Sequence, residues 1–208
     1  MSNIEQYDEV AERWGEQAYA DPSVYLARRA QLVVTLGPRL EPGERVLDLA
    51  CGDGGLAEFL LPFGLEYLGV DASRSMVEAA RRRLGERALI ERGDLNDYEP
   101  PESVSATTCF RAVYYARDRG AFFRKVAGYT ERKLVFDLNP RQYALDAVEG
   151  DLRAAGFDRL ETRPFFTPQR VALPRPIGAA LRAAERAGPL ARLALRVRFT
   201  LICAASRS

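Results

Sequence analysis

Apolar positions along this chain follow two rhythms that replace one another in turn. Short runs rich in Val, Ile, Leu and aromatic residues are typical of buried strands, whereas apolar residues spaced three to four apart are typical of amphipathic helices. Because the two patterns alternate, they predict an α/β domain built on a parallel sheet. The predicted strands are 45–50, 66–71, 88–94, 104–110, 133–138, 159–166 and 197–205, and the predicted helices between them are 55–61, 73–84, 119–129 and 143–156.

Two further segments frame this alternating core. Residues 1–40 repeat apolar and aromatic positions at helical spacing, and Pro42–Gly43 ends that helical section. Residues 166–196 contain several prolines and predict a loop with basic amphipathic helices, after which 197–206 forms the final strand. At 208 residues the chain fits a single domain, with residues 41–165 as its core.

The most informative segment is the turn that follows the first predicted strand. Asp48 ends the strand, and Gly52 and Gly54 form a tight turn into the next helix. Glycines at this place let the backbone adopt positive φ angles and approach a ligand closely. Asp71 closes the second strand, where a nucleotide-binding βαβ unit is expected to carry a ribose-binding carboxylate. Together these residues predict an adenosine site.

Two kinds of adenosine ligand fit the glycines. The spacing Gly52-x-Gly54-x-x-Ala57 also satisfies the pattern of NAD(P)-dependent oxidoreductases. A dinucleotide would place its pyrophosphate against this turn, where Asp48 and Asp53 would repel it. S-adenosylmethionine carries a cationic sulfonium and ammonium and no phosphate, so the same acids favour it. Asp48 therefore favours S-adenosylmethionine, and the oxidoreductase is kept as the alternative.

Two motifs resemble those of a known family. Asp48-LACGDG resembles the first motif, and Gly69-VDAS the second, of the class I S-adenosylmethionine-dependent methyltransferases, in an order of strands similar over roughly residues 1–165. The resemblance implies a Rossmann-like α/β fold with a seven-stranded, mostly parallel sheet, helices on both faces and an antiparallel last strand. It also implies that residues 1–40 form a helical lid over a cofactor-binding core at 41–165.

The family also implies the contacts of S-adenosylmethionine. Asp71 would bind the ribose hydroxyls, and Asp94 would meet the adenine amino group, with capping of the next turn as the alternative for Asp94. Ala50 stands where the family's first glycine is expected, a small change. The full set of predicted cofactor-binding residues is Tyr7, Asp48, Ala50, Gly52, Gly54, Asp71, Ala72, Met76, Asp94, Leu95 and Phe110.

The methyl acceptor is expected at the carboxyl ends of the fourth and fifth strands, because ligands bind at that edge of such sheets. The residues predicted to contact this substrate are Arg111, Tyr114, Asn139 and Phe166. If the acceptor is a hydroxyl that loses a proton, Asp137 or Tyr115 is the candidate catalytic base. For Asp137 and Asn139 the alternative is capping of a turn or helix.

Composition limits the chemistry. The chain has no histidine, which excludes imidazole bases and Ser-His or Cys-His nucleophiles. Its three cysteines are far apart, as is typical of reduced thiols, and no metal site is predicted. With 30 Lys and Arg against 29 Asp and Glu, the net charge of +1 creates no field that would attract nucleic acid. The expected activity is O-, N- or C-methylation of a small molecule, lipid-like or a natural product, and the other alternative is a non-catalytic S-adenosylmethionine-binding module.

The basic segment 174–198 has arginines and apolar residues at helical spacing. It is interpreted as a cover packed on the domain, with contact to an anionic membrane surface as the alternative. The acidic N-terminus lacks the apolar core of a signal peptide, so a cytoplasmic protein is expected. The sequence leaves a monomer and a homodimer both open.

Overall fold

A computed structural model describes residues 19–169, 171–185 and 200–207. Tyr7 and most of the basic segment 174–198 lie outside these residues, so the predictions made for them stay predictions. The strands are β1 (Arg45–Leu49), β2 (Glu66–Asp71), β3 (Leu89–Arg92), β4 (Val104–Cys109), β5 (Thr130–Leu138), β6 (Arg159–Phe165) and β7 (Thr200–Ser206). The α-helices in these ranges are α1 (Pro22–Thr35), α2 (Ala57–Leu60), α3 (Arg74–Leu84), α4 (Arg119–Tyr129), α5 (Leu145–Ala154) and α6 (Arg175–Ala184).

The strands form one seven-stranded sheet in the order β3-β2-β1-β4-β5-β7-β6. The pairs from β3 to β5 are all parallel, and β7 runs antiparallel to both β5 and β6. The mostly parallel sheet and the antiparallel last strand are thus confirmed. The strand order reverses between β1 and β4, and open α/β sheets bind ligands outside the carboxyl ends of the strands at such a switch point.

Both faces of the sheet are covered by apolar packing. Alternate residues of a strand point to opposite faces, so Val46 joins the apolar cluster that contains α1, α2 and α3, whereas Leu47 and Leu49 join the cluster that contains α4 and α5. The near-continuous apolar runs of the central strands follow from this double burial. The predicted helices on both faces are confirmed.

Local capping fixes where the helices begin. The Asp21, Ser73 and Asp118 side chains each accept a hydrogen bond from a backbone N–H in the first turn of α1, α3 and α4. The helix predicted at 55–61 is shorter, because α2 gives way at Leu61 to a 3₁₀ turn that contains Pro62.

The fifth strand begins at Thr130, three residues before the predicted start, and it contains a buried charged side chain. Lys133 is fully buried, and its Nζ donates to the carbonyls of Leu36 (2.7 Å) and Val34 (3.3 Å) at the end of α1. These carbonyls form the negative end of the helix dipole, which favours a cation there. The apolar pattern could not indicate a buried lysine.

Lys133 should make stability depend on pH. Burial lowers its pKa to about 7, well below the usual value of roughly 10.4 for lysine. Between these two pH values, the lysine is protonated in the unfolded chain and neutral in the folded protein. The contribution of Lys133 is therefore present above about pH 10 and is lost as the pH falls toward 7. We expect the free energy of unfolding of Lys133→Met, relative to that of the wild type, to be highest near pH 7 and lowest near pH 9.5. Urea unfolding at several pH values measures this difference. A pH-independent difference would contradict this.

The insertion before β7 is attached to α1 through a buried ion pair. The carboxylate of Glu185, just after α6, is fully buried, accepts from the Arg28 side chain of α1, and also accepts from the backbone N–H of Phe166 (3.0 Å). Removing one partner of such a pair leaves an uncompensated buried charge. This ion pair attaches the described end of the insertion to α1. Over the described ranges, no helix combines the length and apolar character needed to cross a bilayer.

Candidate functional site

A cavity of about 270 Å³ opens at the carboxyl ends of β1, β2 and β4, at the switch point of the sheet. Its wall contains many of the residues that the sequence predicted: Asp48, Ala50, Gly52, Asp71, Ala72, Met76, Asp94, Leu95, Phe110, Arg111 and Tyr115. The wall residues that were not predicted as contacts are Tyr19, Leu26, Arg29, Cys51, Asp53, Gly55, Leu56, Ser73, Gly93, Asn96 and Ala112.

The turn after β1 has a left-handed backbone at alternate residues. The φ angles are +60° at Ala50, +58° at Gly52 and +74° at Gly54. Glycine adopts these values without strain, whereas alanine loses roughly 1 kcal/mol or more. Ala50 therefore keeps the conformation of a glycine at some cost in stability, and the turn retains the shape that the glycine pattern predicted.

Asp48 provides a buried carboxylate at the base of the cavity. It accepts hydrogen bonds from the hydroxyls of Tyr67 and Thr108, both at 2.6 Å. Burial raises its pKa to about 6, against the lowering effect of these two bonds. Asp48 is thus mostly ionised at pH 7, and it places negative charge below the glycine turn.

Asp53, the second acid of the turn, adds little negative charge to the cavity, contrary to the expectation from the sequence. The carboxylate of Asp53 pairs with Arg83 of α3 (2.7 Å) and also accepts from the backbone N–H of Gly55 (3.2 Å). Since a nearby guanidinium offsets its charge, Asp53 contributes little repulsion against a pyrophosphate. The electrostatic argument against a dinucleotide therefore depends on Asp48 and on Asp71, which lines the same wall.

Asp71, at the end of β2, joins two loops of the wall. Its Oδ2 accepts from the backbone N–H of Gly52, and its Oδ1 accepts from that of Ser73, both at 2.9 Å. These bonds fix the rotation of the carboxylate, because each oxygen has a rigid backbone donor. Asp71 therefore positions the glycine turn and presents a negative group to the cavity.

In the loop after β3, Asp94 both caps a turn and lines the cavity. Its Oδ1 caps the next turn by accepting from the backbone and side-chain nitrogens of Asn96, both at 2.8 Å, and the residue also lines the cavity. Burial raises the pKa of Asp94, but the bonds from Asn96, together with the charges of Arg117 and Lys125, leave the pKa below its usual value. Lys125 of α4 holds the loop from behind by donating to the carbonyls of Leu95 (2.7 Å) and Tyr98 (2.8 Å).

The part of the chain that supplies this wall matches a known family. Residues 46–132 match the family described as "Methyltransferase domain". The solved structure of magnesium protoporphyrin IX methyltransferase from Synechocystis PCC 6803, with bound S-adenosylmethionine, has the same fold, with a TM-score of 0.59 and 17% identity over 100% of this chain and 85% of that chain. Residues 46–132 are therefore similar to methyltransferase domains, and the chain has the fold of an S-adenosylmethionine-dependent methyltransferase.

Two curated relatives are similar to part of this chain. An "Uncharacterized methyltransferase" of Geobacillus thermodenitrificans is 31% identical over 115 residues, which are 55% of this chain and 51% of the relative. A "Ubiquinone biosynthesis O-methyltransferase" of Xanthomonas axonopodis pv. citri is 27% identical over 138 residues, 61% of this chain and 55% of the relative. The match thus spans about half the length of these relatives.

Some predicted site residues lie away from the cavity wall. Gly54 packs against α3, where an added Cβ would come within 2.8 Å of the Leu84 side chain. Phe166 is buried in the core cluster with α4 and α5. Asn139 is exposed and caps its own turn by accepting from the backbone N–H of Arg141 (3.0 Å). In place of the predicted ligand contact, the structure gives Gly54 and Phe166 packing roles and Asn139 the capping role.

The two tyrosines predicted for the site differ in position. Tyr115 lines the cavity, whereas Tyr114 is largely exposed and absent from the wall, with its ring centroid 4.3 Å from that of Tyr115. Only Tyr115 is therefore placed to touch a molecule in the cavity.

Asp137 is also absent from the cavity wall, because its carboxylate is used by two protein donors. Its Oδ2 pairs with Arg29 (2.6 Å), and its Oδ1 accepts from the backbone N–H of Arg111 (2.6 Å). Both carboxylate oxygens of Asp137 thus accept from donors of the protein itself. The structure therefore corrects the catalytic interpretation of Asp137: the residue organises the wall.

The sequence reasoning missed Arg29, although a signal was available. Arg29 lies one turn after Tyr25 and one turn before Val33, within the buried apolar stripe of α1. Charged residues are almost never fully buried unless they are paired. An arginine in such a stripe therefore indicates a buried partner or a ligand.

Proposed function

We propose that this protein is a methyltransferase that binds S-adenosylmethionine in the cavity and methylates a small molecule. The observation that carries the proposal is the placement of two carboxylates, Asp48 and Asp71, on a glycine turn inside the matched methyltransferase domain. Such a wall suits a cationic ligand and disfavours a pyrophosphate.

The cavity residues fit S-adenosylmethionine in each of its parts. Asp71 would accept from the ribose hydroxyls, and the apolar Met76 and Leu95 would flank the adenine ring. The second carboxylate oxygen of Asp94, which lies 3.9 Å from Arg117 Nη2, would accept from the adenine amino group. Asp48 would face the cationic end of the ligand. When bound, the cofactor supplies a methyl group on an activated sulfonium leaving group.

The protein's own part in catalysis would be mainly alignment and exclusion of water. Because the leaving group is already activated, holding the acceptor in line with the methyl group can supply much of the rate. Tyr115 is the candidate residue to contact the acceptor or accept a proton, since it lines the cavity and Asp137 does not. The relative named as an O-methyltransferase supports a hydroxyl acceptor, and the aromatic wall suits a lipid-like or natural-product molecule.

A ligand panel and an extract assay test the proposal. We expect S-adenosylmethionine and S-adenosylhomocysteine at 100 times their dissociation constants to stabilise the protein by about 2.7 kcal/mol in thermal unfolding. NAD(H) should have no effect, and the opposite pattern would indicate the oxidoreductase. Methyl-labelled cofactor added with a cell extract should label a small molecule, which mass spectrometry can identify. Binding without any labelling would indicate a non-catalytic module.

The affinity for S-adenosylmethionine should fall in mild acid. With a pKa of about 6, the Asp48 carboxylate takes up a proton between pH 7 and pH 5, so its attraction to the cationic ligand is lost. If only the ionised form binds, the dissociation constant should be about tenfold higher at pH 5 than at pH 7. Calorimetric titrations across this range measure it. Asp48→Asn should bind weakly with a flatter profile, and an equally steep profile in that variant would contradict the assignment.

A further inference from the structure

Two loops that follow strands which are not neighbours line the cavity. Residues 93–98 follow β3 and include Asp94, and residues 110–117 follow β4 and include Tyr115. In the sheet, β2 and β1 lie between these two strands. The strand ladder therefore does not fix one loop against the other, and a link between them depends on side chains.

The side chain of Asn96 makes this link. Its Nδ2 donates to Asp94 Oδ1 (2.8 Å) and to the backbone carbonyl of Tyr115 (3.3 Å), and its Oδ1 accepts from the backbone N–H of Arg117 (2.9 Å). The amide thus uses its donor and its acceptor within the protein. Because one planar group binds the chain on both sides of Ala116, it fixes the position and orientation of the segment that contains Tyr115.

Capping of the turn at Asp94 does not account for these contacts. Asp94 caps its turn by accepting from the backbone N–H of Asn96 (2.8 Å), and any residue at position 96 other than proline could donate that bond. The bonds to Tyr115 and Arg117 span 19 and 21 residues and add nothing to the turn. The Asn96 side chain, which also lines the cavity, therefore acts outside its own loop.

A second link between the two loops is weaker. The guanidinium of Arg117 donates to both carboxylate oxygens of Asp97 at 3.2 Å, but the two side chains are 68% and 66% exposed. Exposed ion pairs contribute little to stability, because water competes for both charges and long side chains must be immobilised. The half-buried Asn96 is therefore the main connection.

We propose that Asn96 is a positioning residue that couples the adenine end of the site to the acceptor end, by holding Tyr115 in place relative to Asp94. The inference rests on the proposed function, in which Asp94 meets the adenine amino group and Tyr115 contacts the methyl acceptor. A ligand on Asp94 Oδ2 restricts rotation of the carboxylate, so Oδ1 holds the Asn96 amide more firmly. Asn96 in turn holds the backbone around Tyr115, and bound cofactor thereby stabilises the wall against which the acceptor is aligned.

The first test measures the link in the free protein, by NMR-detected hydrogen exchange of Asn96→Ala. We expect the amide of Arg117 to exchange roughly 2- to 10-fold faster, as for one lost ordinary hydrogen bond, with a smaller rise over residues 113–116. The amides of β4 should keep their wild-type rates, which would exclude a global loss of stability. Faster exchange confined to residues 94–98 would give Asn96 a role in its own turn only, and it would overturn the proposal.

Two further variants sharpen this measurement. Asp97→Asn is the matched control, because it changes the adjacent residue and weakens the other link, so exchange over residues 113–117 should stay within about twofold of the wild type. Asn96→Asp keeps an oxygen for the N–H of Arg117 but places an acceptor opposite Asp94 and the carbonyl of Tyr115. It should loosen residues 113–116 at least as much as Asn96→Ala. An equally large effect of Asp97→Asn would assign the link to the exposed ion pair and contradict the role of Asn96.

The second test measures the coupling with saturating S-adenosylhomocysteine. In the wild type the ligand should slow exchange over residues 94–98 and 113–117, whereas in Asn96→Ala only the slowing over 94–98 should remain. Equal protection of residues 113–117 in both proteins would mean that the ligand holds this loop directly, and the coupling would be overturned. Failure of the wild type to bind S-adenosylhomocysteine would refute the proposed function instead, and the rates in the free protein would still decide whether Asn96 joins the two loops.

Discussion

Replacing Asp71 with asparagine is expected to weaken S-adenosylmethionine binding by roughly 100-fold or more. In the proposed complex the carboxylate accepts from two ribose hydroxyls, and each charge-assisted bond contributes about 1.5–3 kcal/mol. Asparagine offers a single carbonyl oxygen, and its amide nitrogen would face one of the two N–H groups of Gly52 and Ser73 that Asp71 now accepts from. The loss therefore affects both the ligand and the shape of the turn.

The measurement is isothermal titration of the variant, with urea unfolding to separate the two effects. Asp97→Asn is the matched control, because Asp97 is an exposed acid on the neighbouring loop, pairs with Arg117 and does not line the cavity. We expect it to leave the affinity unchanged. An Asp71→Asn protein that unfolds at nearly the wild-type urea concentration and binds with wild-type affinity would contradict the site.

The substitution Gly54→Ala is expected to lower the free energy of unfolding by about 3 kcal/mol. Part of this loss is conformational, because the φ of +74° costs alanine roughly 1–2 kcal/mol. The rest is steric: the new Cβ would come within 2.8 Å of Leu84 Cδ1 and 3.2 Å of Ala80 Cβ. Both neighbours are buried in the packing of α3 on the turn, and overpacking of this kind costs about 1–3 kcal/mol.

Gly43→Ala separates the two contributions. Gly43 has a similar φ of +86°, but an added Cβ would have no atom within 4 Å. Its substitution should therefore cost only the conformational part, about 1–2 kcal/mol. The difference between the two variants in urea unfolding measures the steric part at Gly54. Equal losses would indicate that α3 relaxes freely and that Gly54 is required by φ alone.

Several features could be predicted because their determinants are local in sequence. Buried strands are recognisable from their apolar runs, and the turn at 50–54 from glycines that favour left-handed backbone. Asp48 and Asp71 could be placed together because both end neighbouring parallel strands, and the carboxyl ends of such strands share one edge. The cavity wall contains both acids.

Other features could not be predicted because they depend on partners distant in sequence. Asp53 and Arg83 pair across 30 residues, Arg29 and Asp137 across 108, and Arg28 and Glu185 across 157. The sequence showed Asp53 and Asp137 as free acids, and the structure pairs each with an arginine from another element. An acid that is paired in this way helps to hold the cavity wall together and contributes little net charge to a ligand.

By itself, the sequence determined the α/β class and the glycine turn with its flanking acids Asp48 and Asp71, because apolar periodicity and short motifs act over a few residues. The tertiary structure alone decided which charges reach the cavity. Asp48 lies at its base and is mostly ionised at pH 7, Asp53 is paired with Arg83, and Arg29 enters the wall from a helix outside the recognised motifs. The physical reason is that charge is compensated in space rather than along the chain, so the net field of a site is known only once its elements are packed.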